Sequence, residues 1–263
     1  MGNLINLNYK LVAPYSVDGV TNSSFTECLD YINSLDTVGV DIETTRKFKG
    51  VYGKEEGLNP HLSSIVMIQV GSKSKQFVID ARFEPRELII QLINLLATKK
   101  TVGHNLKFEY KHFLVNYDIR LNAMHDTMIA DLILWNGYKT YRGRKLLFSL
   151  DALNRRYLNV QVDKTTRLEF LRIHNEQFTK RQIEYGAEDI LYPLYIMDKQ
   201  LVRLEEEDLV PCYNLEMKVI PCLGDIESKG LFFNKEVWEE TYQKALIEYK
   251  NKKESLDNYI IEN

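Results

Sequence analysis

The stretch Val38–Gly39–Val40–Asp41–Ile42–Glu43–Thr44–Thr45 constrains this chain more than any other. A run of β-forming residues ends in two carboxylates two positions apart. On a strand, i and i+2 share a face, so Asp41 and Glu43 project together and Ile42 points into the opposite layer. Two acids held in proximity repel each other unless a cation sits between them. Hard oxygen ligands favour Mg²⁺ or Mn²⁺ over zinc, so the motif points to a divalent-metal site.

The chain has 263 residues, room for one large domain or one domain plus a piece of another. No apolar run is long enough to span a bilayer, and Met1 to Lys10 lacks a signal-peptide core. Cys28, Cys212 and Cys222 are odd in number and widely spaced, which fits a reducing cytoplasm and gives no metal pattern. A net charge of −3 argues against a generic polyanion-coating protein. It is compatible with a nuclease whose acidic site is rimmed by local basic patches.

Helical spacing of Phe25, Leu29, Ile32 and Leu35 predicts a short amphipathic helix, followed by a strand over Thr37 to Ile42. Arg46 to His61, broken by Gly50, Gly53, Gly57 and Pro60, reads as a long loop. Ser64 to Val70 and Gln76 to Ile79 read as a hairpin whose first strand is apolar enough to be central. Pro85 opens a helix to Ala97 with Leu88, Ile89, Leu92, Leu95 and Leu96 inward. A short strand over Thr101 to Gly103 precedes a helix from Leu106 to Asn116. Asp126 starts a helix over Met128 to Trp135, and Asn136 to Arg144 is a polar loop. Ser149 caps a helix to Leu158, and Thr179 a long one to Glu207. Strands early and helices later predict an α/β layered domain with a mixed sheet. Beyond the acidic run Glu205 to Asp208, a helix over Leu209 to Glu227 and a Lys/Glu-rich helix from Lys235 hold too little apolar content for a second core.

Two further constellations carry acids. In Gly103–His104–Asn105–Leu106–Lys107–Phe108–Glu109, Asn105 and Glu109 share one helical face. Tyr185 and Asp189 are also four apart, and Asp189 interrupts an apolar side made by Ile183, Ala187, Ile190 and Leu194. A carboxylate there is costly to bury without a partner or a metal. Asp126 and Asp151 read instead as a cap and a first-turn acid.

Together, Val40 to Thr44, Gly103 to Phe108, Phe148 to Leu153 and Tyr185 to Asp189 resemble the 3′–5′ exonuclease domains with four acidic metal ligands and a tyrosine. They are closest to the proofreading domain of family A (DNA polymerase I-like) DNA polymerases. The resemblance covers about Phe25 to Leu201 and implies a ribonuclease H-like fold. It divides the chain into an exonuclease domain over 1–207 and, over 208–263, a helical extension resembling the start of a polymerase domain. Glu109 departs from the pattern, because the family usually has aspartate there.

The resemblance also implies hydrolysis of single-stranded DNA from its 3′ end, releasing 5′-mononucleotides, in a prokaryotic or viral replication setting. Two Mg²⁺ or Mn²⁺ ions about 4 Å apart would be held by Asp41, Glu43, Glu109 and Asp189, with Asp41 between them. Tyr185 would orient the attacking water, while Thr44, His104, Asn105 and Phe108 would grip the last nucleotides. Lys139, Arg142, Arg144, Lys145, Arg155 and Arg156 could track the phosphate backbone. The partner would be a DNA 3′ end, with a polymerase domain in cis or in trans. The rival readings are an exonuclease-fold scaffold weakened through Glu109 and a 3′–5′ exoribonuclease.

Overall fold

In a computed structural model the Asp41 stretch lies in β2 (Thr37–Arg46), inside a six-stranded sheet. The structure describes residues 7–47, 57–136, 138, 140, 141, 144, 145, 147–162, 166–170, 173 and 175–262. The other strands are β1 (Tyr9–Val12), β3 (Ser63–Gly71), β4 (Gln76–Asp80), β5 (Lys100–Gly103) and β6 (Ala123–Asp126), in the order β1-β4-β3-β2-β5-β6. β2–β3 and β3–β4 are antiparallel, and β1–β4, β2–β5 and β5–β6 are parallel. The mixed, helix-flanked sheet expected of a ribonuclease H-like exonuclease fold is therefore present.

Alternation along β2 assigns its two faces. Val38, Val40 and Ile42 join a core with α1 (Phe25–Asn33), α2 (Arg86–Ala97) and α3 (Lys107–Tyr117). Ile93 of α2, outside the expected apolar stripe, is fully buried there. The opposite face carries Gly39, Asp41 and Glu43 toward α7 (Lys180–Glu206). The N-terminus of α7 is fixed by a reciprocal capping box between Thr179 and Gln182. Near that end Ile183 and Ala187 pack with Met67, Val78, Phe170 and Phe178 in a second core.

Several boundaries depart from expectation. β2 continues past Ile42 to Arg46, because Thr44, Thr45 and Arg46 pair with Ile65, Ser64 and Ser63. Most of the expected 46–61 loop lies outside the described residues. β1 and β6 were not anticipated: both are four-residue edge strands, too short to show a period. β6 runs directly into α4 (Thr127–Leu134), capped by Asp126 as expected. The expected loop over Asn136 to Arg144 carries the two-residue strands β7 (Thr140–Tyr141) and β8 (Arg144–Lys145). The helix after Ser149 is α5 (Leu150–Leu153), continued by a π-helical turn, Asn154–Leu158. A further short helix, α6 (Arg167–Phe170), precedes α7.

α8 (Val210–Lys229) buries Tyr213, Met217 and Ile220 in the first core. The compact unit accordingly runs from Met1 to Ser228. The second unit, Lys229–Asn263, consists mainly of α9 (Lys235–Glu262), with no buried residue; the rings of Phe233 and Trp238 pack 5.1 Å apart. No helix among the described residues is long and apolar enough to cross a membrane.

Candidate active site

The acids converge because α7 lies unusually close to the sheet. A Cβ on Gly39 would sit 2.9 Å from the Ile190 carbonyl oxygen, and one on Gly186 would sit 2.9 Å from both Gln69 Nε2 and Met67 Sδ. Glycine at both positions lets helix and strand approach where any side chain would hold them apart. Asp189 then reaches Asp41 and Glu43. One oxygen from each of the three carboxylates lies within 4.8 Å of the others.

Glu109, in the first turn of α3, joins this cluster through Asp41 and is fully buried. Burial, followed by the neighbouring Asp41 charge, holds its carboxyl well above the usual carboxylate range. Among the described residues its Oε2 is buried without a hydrogen-bond partner. An orphaned buried carboxyl oxygen beside three clustered carboxylates fits a divalent cation with hard oxygen preference, and these four residues are the ones that would hold it. Tyr185 hydrogen-bonds Asp189; burial and the charges of Asp189, Glu43 and Asp41 raise its phenol far above the ordinary tyrosine value. Its hydroxyl donates to the Asp189 carboxylate.

All nine sequence-predicted site residues line one cavity of about 710 Å³: Asp41, Glu43, Thr44, His104, Asn105, Phe108, Glu109, Tyr185 and Asp189. A bulge falls between Glu43 and Thr44, and the Thr44 hydroxyl donates to the Gly57 carbonyl at 2.7 Å. His104 Nδ1 lies 3.0 Å from Thr127 Oγ1, and the Phe108 ring packs tilted against His112, with centroids 4.3 Å apart. Asn105 has a left-handed backbone (φ 65°) and an exposed side chain. Its conformation is set by Asp126, which accepts from the backbone N–H of Asn105 at 2.9 Å and of Leu106 at 2.8 Å. Asp126 also caps α4 through Met128 and Ile129. One cap thus fixes two helix starts, a coupling that the sequence distance hides.

The basic set is placed less completely. Lys139 and Arg142, and the side chains of Arg144 and Lys145, lie outside the described residues. Arg155 pairs with Asp151, and Arg156 with the buried Asp131 while lying over Trp135. Of the two, Arg156 neutralises a fully buried acid, while Arg155 is more than half exposed. Sequence reasoning missed the wall made by Met128, Phe148, Leu150, Asp151, Asn154 and Val162. Phe148, Leu150 and Asp151 belong to the Phe148 to Leu153 motif, and Asn154 carries no signal beyond following it.

A mixed sheet of this order, with acids from its central strand and from two helices around one cavity, defines a 3′–5′ exonuclease of the ribonuclease H-like fold. The chain belongs to the 3′-5′ exonuclease family of the DNA polymerase A exonuclease type, which matches residues 20–205, and so to the nuclease hydrolases. Divalent metal ions serve this family, and the donor set above fits them. Among solved structures, Brucella melitensis NrnC is 18% identical with a TM-score of 0.62, covering 86% of this chain and 95% of its own. Escherichia coli RNase D, described as an exoribonuclease involved in structured RNA processing, is 18% identical with a TM-score of 0.61, covering 83% of this chain and 51% of its own. The catalytic core of RRP6 from Trypanosoma brucei is 13% identical with a TM-score of 0.58, covering 83% of this chain and 53% of its own. NrnC has been solved with Mg²⁺ and with pGG. No curated protein sequence matches the chain.

Proposed function

We propose that this protein removes 5′-mononucleotides from the 3′ ends of single-stranded DNA, as the proofreading part of a family A polymerase, supplied in cis or in trans. The observation that carries the reading is the approach of Asp41, Glu43 and Asp189 oxygens to within 4.8 Å at the floor of a nucleotide-sized cavity. We read 1–207 as the exonuclease domain, in keeping with a family match that ends at 205, and 208–263 as its helical extension, whose first helix, α8, shares the domain's core up to Ser228. Three free thiols, Cys28 buried and Cys212 and Cys222 exposed, suit a reducing cytoplasm.

Two divalent ions, when bound, supply a water of lowered pKa and neutralise charge on the departing 3′ oxygen. Asp41, Glu43, Glu109 and Asp189 would hold them. Tyr185, protonated, donates its single O–H to Asp189 and accepts from the attacking water, setting its line of approach to the terminal phosphodiester. Thr44 and Asn105 contact the terminal sugar and phosphate, His104 flanks them, and Phe108 offers a ring on which a base stacks.

A second reading is trimming of RNA, favoured by the likeness to RNase D and RRP6. Matched DNA and RNA oligonucleotides labelled at the 3′ end decide between them in the presence of Mg²⁺. Mononucleotide release from DNA at the greater rate is expected; faster release from RNA replaces the first reading with the second. No release from either, with the protein folded, would leave the weakened-scaffold reading, and Glu109→Asp would then test whether the longer acid is responsible.

A further inference from the structure

Asn154 opens the π-helical turn that follows α5. Its side chain is buried to 1% exposure, and among the described residues neither its Oδ1 nor its Nδ2 has a hydrogen-bond partner. Yet it lines the active-site cavity. The backbone at this point is engaged, since the Asn154 carbonyl accepts from Val160 N–H at 3.3 Å. A carboxamide buried with both of its polar ends unmet is costly, and the cost is removed when a ligand or ordered water supplies the complementary pair. π-Helical turns, which widen a helix by one residue, recur where a side chain must be presented to a site.

The rest of the cavity lining indicates what that ligand is. Met128, Phe148, Leu150 and Val162 give it an apolar part, beside Asp151, which pairs with Arg155. Phosphate oxygens belong with the carboxylate cluster and its cations. An apolar wall suits the flat face of a base. A carboxamide presents one donor and one acceptor side by side. Each of the four bases offers an adjacent donor and acceptor on its pairing edge, in one order or the other. Rotation of the amide by half a turn exchanges its own order and so meets them all.

We propose that Asn154 is a specificity-determining residue of this site, reading the pairing edge of the base of the bound nucleotide without choosing among the four. It distinguishes a nucleotide that has a base from one that has lost it. This rests on the nucleic-acid reading of the site given above. A 3′-trimming site of this kind accepts every normal terminus and passes over an abasic one.

The test is calorimetric binding of the four deoxynucleoside 5′-monophosphates and of deoxyribose 5-phosphate, with Ca²⁺ present, to the wild-type chain, Asn154→Leu and Asn154→Asp. Asn154→Leu should lose about tenfold in affinity for all four nucleotides and nothing for deoxyribose 5-phosphate. Asn154→Asp, an acceptor at both positions, should keep dGMP, whose edge carries two adjacent donors, and lose TMP. A merely structural role would lower the melting temperature and leave the ratio of nucleotide to abasic affinity unmoved; an unmoved ratio overturns the proposal. A wild-type chain that binds nucleotides with this pattern but cleaves no oligonucleotide defeats the nuclease reading and leaves Asn154 as assigned. A chain that cleaves oligonucleotides while Asn154→Leu keeps the wild-type ratio defeats the assignment alone.

Discussion

Asp126 and Glu109 are buried to the same degree, 1% and 2% exposed, and the fold treats them in opposite ways. The Asp126 carboxylate is met by four backbone N–H groups, from Asn105, Leu106, Met128 and Ile129. Asp131 and Asp80 are met similarly, by Arg156 and Tyr157 and by Arg82 and Tyr15. Glu109 instead faces the Asp41 carboxyl and leaves Oε2 without a partner. Buried acids that serve the fold carry their counter-groups in the same chain. A buried acid whose principal neighbour is another acid has been built for something that arrives from outside.

Four experiments would break or sharpen that contrast. Asp41→Ala should remove the centre of the cluster and cut Mg²⁺-dependent release of nucleotide by at least about a thousandfold while the fold persists; a labelled-oligonucleotide assay beside circular dichroism checks both halves. Asp126→Ala should act the other way round. It strands four donors at two helix starts and should cost about 2–3 kcal/mol in urea unfolding, with lost activity following from the freed Asn105.

Acid supplies the third. Burial, the largest cause in each case, holds His125 down to about 3 and His112 to about 4, against 6.5 ordinarily. The unfolded chain takes up these protons below about pH 6.5 and the folded chain does not. Stability should be fully present above that pH and fall by about 1.4 kcal/mol per unit for each group as pH drops toward the folded values. Urea midpoints at pH 7, 6 and 5 measure this, and His125→Gln, which keeps a partner for Tyr213 and Gln200, should flatten the slope. The smallest effect is expected from Glu109→Gln, which relieves the acid–acid repulsion. With EDTA present it should gain about 1 kcal/mol of stability while losing activity. A loss of stability would place Glu109 with the structural acids.

Much of the site was legible because strand and helix periods are local. Alternation put Asp41 and Glu43 on one face, and a spacing of four put Tyr185 beside Asp189. Asn154 was not legible, since a single asparagine behind a leucine-rich run looks like a solvated helix residue until its burial is known. Asp126 was legible as a cap for α4 but not as the acceptor for Asn105 and Leu106, because nothing local links positions twenty apart. The edge strands β1 and β6 were missed for a related reason: four residues define no period, and partners elsewhere in the chain complete them.

The sequence by itself determined which side chains could bind metal and which face of its own element each would occupy, because backbone geometry fixes those directions within a few residues. Only the tertiary structure decided that the faces meet. That depended on close approach of α7 to β2 and β3 at Gly39 and Gly186, and on the absence, among the described residues, of a partner for Glu109 Oε2. Both are properties of packing between segments remote in the chain.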